Sequence, residues 1–420
     1  MRKVSTPVIT IIVIAICLFL AGCSQAQNKS DPAVATTSTD LLKADWDEVA
    51  SQAKGQTVNM YMWGGSESIN RYMDEWVAPR LKEDYEVTLQ RVPVNDINDT
   101  VNKLLAEKQV NKKEGSVDLI WINGENFKNA KEQDLLWGSF DKQLPNFNQY
   151  IDANAPDIKD DFGLPTEGFE APWGKAQFVF IYDSNKIKNP PTSMTQLAAW
   201  VKQNPGKFTY PAPPDFTGSA FVRQALYETT GGYQHYMKPL DSDSLTPKLS
   251  PLWDYLNSME TSLWREGKTY PESLAKLDQL YANGEVWMTM GYDPARASNE
   301  IKKGTFPAST RTFVLEAGTL ANTHYLSIPF NSTHQAGAMV AINFMLSPDA
   351  QIAKFDPLNW GEDMSLDLQK LSPEDQKRVS EIDRGIATLP AGELASHRLP
   401  ELPSAYVDVL DNGWLEYVAK

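Results

Sequence analysis

Little in this chain has the spacing that catalysis needs. His235, His324, His334 and His397 are too far apart for metal-ligand spacing, and no HExxH pattern occurs. There is no GxSxG elbow and no GxxxxGK[ST] phosphate loop. Ser51–Lys54 and Ser273–Lys276 match SxxK, but both lack its partner motifs, so they read as chance. No catalytic residue, metal or cofactor is expected. What remains is the chemistry of holding a ligand.

Trp63 precedes Gly64 and Gly65, and Trp173 precedes Gly174 and Lys175. Aromatic rings beside flexible turns suit stacking on a ligand, although either Trp could equally be core. Asn123-Gly124-Glu125-Asn126 offers amides and a carboxylate, at least one of which helix capping would explain. Asp215-Phe216-Thr217-Gly218 opens a helix after a Pro-rich approach. Its backbone N–H groups could take an anion, or Asp215 and Thr217 could be plain caps. Arg265, beside Trp264, could grip a carboxylate or phosphate, or pair on the surface. Tyr292-Asp293 could meet a cation at a strand end, with capping as the alternative, and Asn322 is a further candidate.

The elements that must position these groups follow from periodicity. Thr57–Trp63 alternates Val58, Met60 and Met62 with polar residues and reads as a strand. A helix through Ile69, Tyr72, Met73, Trp76 and Val77 follows, with Pro79 set to kink it. Val87–Val94 and Val117–Ile122 read as further strands, each followed by a helix. Strand and helix alternating three times predict a parallel sheet whose ligands bind at the strands' carboxyl ends, here Trp63-Gly64-Gly65 and Asn123–Asn126. A strand over Ala176–Tyr182 and a short one over Phe208–Tyr210 are predicted next. Later elements are helices over 251–263, 272–282 and 333–346, strands near 286–290, 311–315 and 324–328, and a helix start at Ser347-Pro348-Asp349.

Composition narrows the function classes. With 54 acidic against 39 basic residues the chain carries a formal charge of −15, which argues against a nucleic-acid partner. Arg2 and Lys3 followed by an apolar run from Val8 to Ala21 predict a secretory signal over 1–22. The run ends Leu20-Ala21-Gly22-Cys23, which resembles a bacterial lipobox and implies a lipid anchor on Cys23 at the extracytoplasmic face of the cell membrane. Of the two cysteines, Cys17 would leave with the signal, so neither thiol catalysis nor a disulfide is expected. Residues 23–45 read as a flexible tether.

Several long blocks carry a resemblance. They are Trp63-Gly64-Gly65 with Ile69–Tyr72, GSVDLIWINGENF (115–127), APWGKAQ (171–177), YPAPPDFTGSAF (210–221), LWREGK (263–268) and NFMLSPDAQ (343–351). Together the chain resembles the extracellular solute-binding lipoproteins of ABC importers, and within them the YnjB-type family. The resemblance implies an α/β, two-lobed periplasmic-binding-protein-like fold with hinge strands and a ligand cleft between the lobes. It places one lobe at Trp46–Lys175 with Phe306–Lys420 and the other at Ala176–Thr305, with crossings near 174–178 and 304–310. It implies capture of a small polar solute, handed to a permease and ATPase, with no enzymatic activity. Aromatic rings would cover the solute while Asn123, Asp215 and Thr217 hydrogen-bond it. The acidic balance favours a cationic or zwitterionic solute, whereas the helix start at Phe216 and Arg265 favour an anionic group. Two alternatives stay open: a glycan- or oligosaccharide-binding surface lipoprotein, and an extracellular hydrolase. The stretch from Asp363 to Glu401 carries no motif.

Overall fold

The computed structural model describes residues 41–240 and 246–419. The expected signal, Cys23 and most of the tether lie outside the described residues. Ordered packing starts slightly before Trp46, with Leu41 buried and Asp45 capping the helix Trp46–Ala53.

Among the described residues the chain folds around two main sheets, besides a two-stranded pairing of Asp160–Asp161 with Leu164–Pro165. In the larger, strands run in the order Arg398–Pro400, Thr319–Ser327, Leu119–Ile122, Thr57–Trp63, Thr88–Val94, and Glu170–Gln177 pairs with Thr319–Ser327 off this path. Thr57–Trp63 is parallel to both of its neighbours, as alternating strands and helices require. Val58, Met60 and Met62 are fully buried, and the residues between them are not. Thr319–Ser327 enters antiparallel to Leu119–Ile122. The smaller sheet is antiparallel, ordered Met288–Gly291, Val179–Asp183, Thr310–Phe313.

The single strand expected over Ala176–Tyr182 is two strands in different sheets. Gln177 ends one and Val179 begins the other, with Phe178 buried between them. The return passage spans 314–318 rather than 304–310, because Thr310–Phe313 first pairs with Val179–Asp183. After Pro400 the chain passes over once more, and the helix Ala405–Tyr417 packs on the helix Phe216–Thr229. There Trp414 Nε1 donates to the Tyr210 hydroxyl at 3.1 Å. Phe208–Tyr210 is not a strand, although the Phe208 carbonyl accepts from Trp264 N–H.

The helix expected to kink at Pro79 widens just before it. Tyr72–Val77 is a π-helical turn, and the Ala78 N–H bonds the Met73 carbonyl five residues back. Proline lacks the N–H that would continue regular pairing, so the ladder is loosened at that point. The later caps are local: Ser193, Ser273 and Ser347 each accept from the N–H three residues on.

Candidate functional site

Between the carboxyl ends of the larger sheet's parallel strands and the smaller sheet's side lies a cavity of about 200 Å³. Trp63 closes its strand and Trp121 stands in Leu119–Ile122; both line the cavity with Trp360. From the other side come Phe216, at the start of its helix, and Tyr292 and Asp293, just after Met288–Gly291.

Glycines set these rings in place. A Cβ on Gly65 would overlap the Trp63 ring, and one on Gly64 would stand 2.6 Å from Pro93 Cβ. Gly65 therefore lets the Trp63 indole fold back over its own turn, and Gly64 lets that turn lie against Pro93. Behind the cavity, Trp121, Trp173 and Trp360 pack mostly edge-to-face with centroids 5.1–5.5 Å apart. Trp173 is fully buried, and its Nε1 has no partner.

Beneath the rings sits a buried charge cluster. Glu362 Oε1 lies 2.6 Å from His324 Nδ1, and Glu362 Oε2 lies 2.8 Å from Lys354 Nζ. Burial alone would raise the Glu362 pKa, but His324 and Lys354 hold it below the ordinary glutamate value. Burial pulls the Lys354 pKa down against the pull of Glu362. A Cβ on Gly174 would overlap both Glu362 and Lys354, so this close approach requires glycine.

The other side of the cavity is acidic. Burial pushes the Asp293 pKa up to about 7, against one hydrogen bond from Ala295 N–H at 2.9 Å. Asp215 accepts from the N–H groups of Thr217, Gly218 and Leu274, so it caps the helix and ties in a neighbouring turn. That carboxylate engages the N–H groups on which an anion would otherwise rest. Arg296, which also lines the cavity, is ion-paired with Asp278.

A chain with this cleft matches the family model described as bacterial extracellular solute-binding protein over residues 76–360. It belongs to the bacterial extracellular solute-binding proteins. Protein YnjB of Escherichia coli (strain K12) is 40% identical over 373 residues, covering 89% of this chain and 93% of YnjB. The fold is also that of the periplasmic binding protein AfuA from Actinobacillus pleuropneumoniae, solved with fructose-6-phosphate bound. That match has TM-score 0.61 and 15% identity, covering 86% of this chain and 98% of AfuA. The spermidine/putrescine transporter substrate-binding protein PotD from Streptococcus pneumoniae has TM-score 0.60 and 14% identity, covering 86% and 98%. The expected α/β two-lobed fold is therefore that of this solute-binding protein. Its family is one of extracellular solute-binding proteins.

Of the candidate residues in this solute-binding protein, Trp63, Asn123, Asp215, Thr217, Tyr292 and Asp293 line the cavity. Asn123 makes no cap bond. Gly124 adopts a left-handed φ of 61° and donates its N–H to Asp161, so the Asn123 amide is left to face the cavity. Glu125 lines a smaller adjoining cavity with Phe216 and Arg223, and burial lifts its pKa to about 7.

The remaining candidates do not reach the main cavity. Gly65 acts through Trp63, Gly64 through the approach of its turn to Pro93, and Trp173 lies behind the aromatic wall. Lys175 pairs with Asp157 at 2.7 Å. Gly218 abuts the Pro211 carbonyl, where a Cβ would clash. Asn322 donates to Glu401 at 3.4 Å within a buried network. Exposed Arg265 lies 4.2 Å over the Trp264 ring, and Trp264 bonds Glu285; the pair stands outside the cavity lining.

Sequence reasoning missed Asp96, Trp121, Phe216, His324, Trp360 and Glu362, all cavity-lining, and offered Asn126 only as part of its turn. Asp96 had a usable signal, since it follows a strand at its carboxyl end. Trp360 and Glu362 had none.

Proposed function

We propose that the cavity between the two sheets is the solute site, and that the protein captures a small polar solute there and delivers it to an ABC permease and its ATPase. The observation that carries this reading is that both sheets' sides contribute to one cavity. Trp63 and Trp121 come from the larger, and Tyr292 and Asp293 follow a strand of the smaller. A hinge motion about the strand passages at Phe178 and 314–318 would close the rings over the solute.

In this reading the first lobe takes the larger sheet with its helices, and the second takes the smaller sheet. The helix Ala405–Tyr417 is counted with the second lobe, which the Trp414–Tyr210 contact supports. Lipidation of Cys23 after removal of 1–22 would hold the receptor at the extracytoplasmic membrane face, with the segment from Cys23 up to the buried Leu41 as tether. Trp63, Asn123, Thr217, Tyr292 and Asp293 are the proposed solute contacts, joined by Trp121, Trp360, Phe216 and Asp96.

Native mass spectrometry of the purified protein tests this. A retained small molecule, or a rise in melting temperature with a library solute, is expected, because a ligand that binds only the folded state stabilises it. Absence of both across a broad solute library would remove the receptor reading.

A further inference from the structure

We infer that the solute is a compact organic cation, an ammonium or a positively charged nitrogen heterocycle, held between Trp63, Trp121 and Trp360 and met by Asp96 from one side and Asp293 from the other. The inference rests on the solute-site reading above and names its ligand class.

Charge partners lead to it. Two basic side chains line the cavity among the described residues, and each faces its own carboxylate: Arg296 pairs with Asp278, and His324 with Glu362. The Arg296 Nε is buried with no partner, out of solvent contact. Arg223, at the adjoining cavity, is held by Glu401 at 3.0 Å. Asp96 and Asp293 form no ion pair among the described residues. Each accepts only a backbone N–H, from Asn98 and Ala295 respectively. Glu125, next door, has no ion pair or hydrogen bond. The cavity is thus left with carboxyl groups that no basic side chain neutralises, Asp96 at its exposed rim and Asp293 half-buried where a cationic ligand would favour its charged form.

Two further observations point to a ligand of this kind. Asn126 is only 7% exposed and lines both cavities, and its side-chain amide makes no hydrogen bond among the described residues, so it is free to bond a ligand. The walls are indole faces and edges, and an indole face attracts a cation most strongly among side-chain rings. The cavity volume lies below the roughly 300–1,000 Å³ usual for ligand pockets, which favours a compact solute. Neither of the two features that argued for an anion is available to one in the cavity. The Phe216 helix start is capped by Asp215, and Arg265 stands outside the cavity.

The test uses the full chain and matched probes. N-methylpyridinium, tetraethylammonium and butylammonium are titrated against benzoate, a hexose phosphate and maltose, following tryptophan fluorescence and melting temperature. Saturable binding by at least one cation is expected, with affinity reduced roughly tenfold or more in Asp96→Asn and in Asp293→Asn. Asparagine keeps the same backbone hydrogen bond at both positions and removes only the charge. Circular dichroism on each variant verifies folding, and Arg265→Ala serves as an unaffected control. Binding of benzoate, hexose phosphate or maltose without any cation overturns this inference and leaves the solute-site reading standing. If no probe binds and no cellular solute co-purifies, both fall. Cation binding unchanged in both Asn variants also overturns the inference.

Discussion

Arg223 and Glu401 meet side by side, Nε to Oε2 at 3.0 Å and Nη2 to Oε1 at 3.4 Å, although 178 positions separate them. Arg223 belongs to the helix Phe216–Thr229 beside the smaller sheet, and Glu401 directly follows the edge strand Arg398–Pro400 of the larger. The Tyr292 hydroxyl bonds both, and Ser219 accepts from Arg223 at 2.8 Å. One buried ion pair therefore fastens the tail of one sheet to the helix of the other.

Removing one partner leaves an uncompensated buried charge. Glu401→Ala should lower unfolding free energy by about 3–5 kcal/mol, whereas Arg223→Met with Glu401→Leu should recover most of that loss. Urea denaturation of the three proteins checks this. A loss below about 1 kcal/mol in the single variant would show that the pair is solvated.

Gly174→Ala should cost about 1–3 kcal/mol or more, since its Cβ would overlap Glu362 and Lys354 in a site with no free space. The urea midpoint should fall with an unchanged slope. Gly206→Ala is the contrasting case: its φ of 78° strains the backbone, but nothing lies within 4 Å of the added carbon. Its cost should come from conformation alone, roughly 1–2 kcal/mol.

These glycines mark the limit of what the sequence conveys. Alternation in Thr57–Trp63 and the serine caps are local, so their patterns could be read directly. The break at Phe178 could not, because Ala176–Tyr182 is apolar except for Gln177 and a run buried in one sheet looks like a run crossing between two. Trp63 was legible from its glycine neighbours and its strand end. Trp360 and Glu362 reach the cavity from a loop beyond the helix Pro348–Phe355, a placement fixed only by tertiary packing. Arg265 misled because a Trp-Arg pair looks the same stacked on itself as it does facing a ligand.

Asp293 should make stability depend on pH. Its folded-state pKa of about 7 lies above the ordinary aspartate value, so the folded protein holds that proton more tightly. Its contribution is therefore best below about pH 4, and stability is lost as pH rises toward 7. Buried Asp161 and Glu170, whose pKa values are also raised, act in the same direction. Glu362 acts oppositely, stabilising above its unfolded value and losing that effect as pH falls through its depressed one. Asp293→Asn removes one share only. Its melting temperature relative to the parent should climb between pH 4 and 7 and level off above. A difference independent of pH would show that Asp293 is not shifted.

Trp63→Ala should weaken solute retention by tenfold or more, about 1.4 kcal/mol, while Trp264→Ala leaves it within twofold. Quantifying co-purified solute by mass spectrometry separates the two. Equal losses would mean that the half-buried Trp264 surface also contributes to binding.

The loop carrying Trp360 and Glu362, and the tail carrying Glu401, have a consequence for the order in which the molecule becomes competent. Thr57–Trp63, Val179–Asp183 and every other sheet strand except Arg398–Pro400 precede them in the chain. A polypeptide emerging from its N-terminus can pair most of both sheets and still have a cavity without its third indole or the carboxylate beneath it. With the cavity as the proposed solute site, solute recognition would be a late event in this protein's assembly, and a chain truncated after Ile328 is expected to lose solute binding.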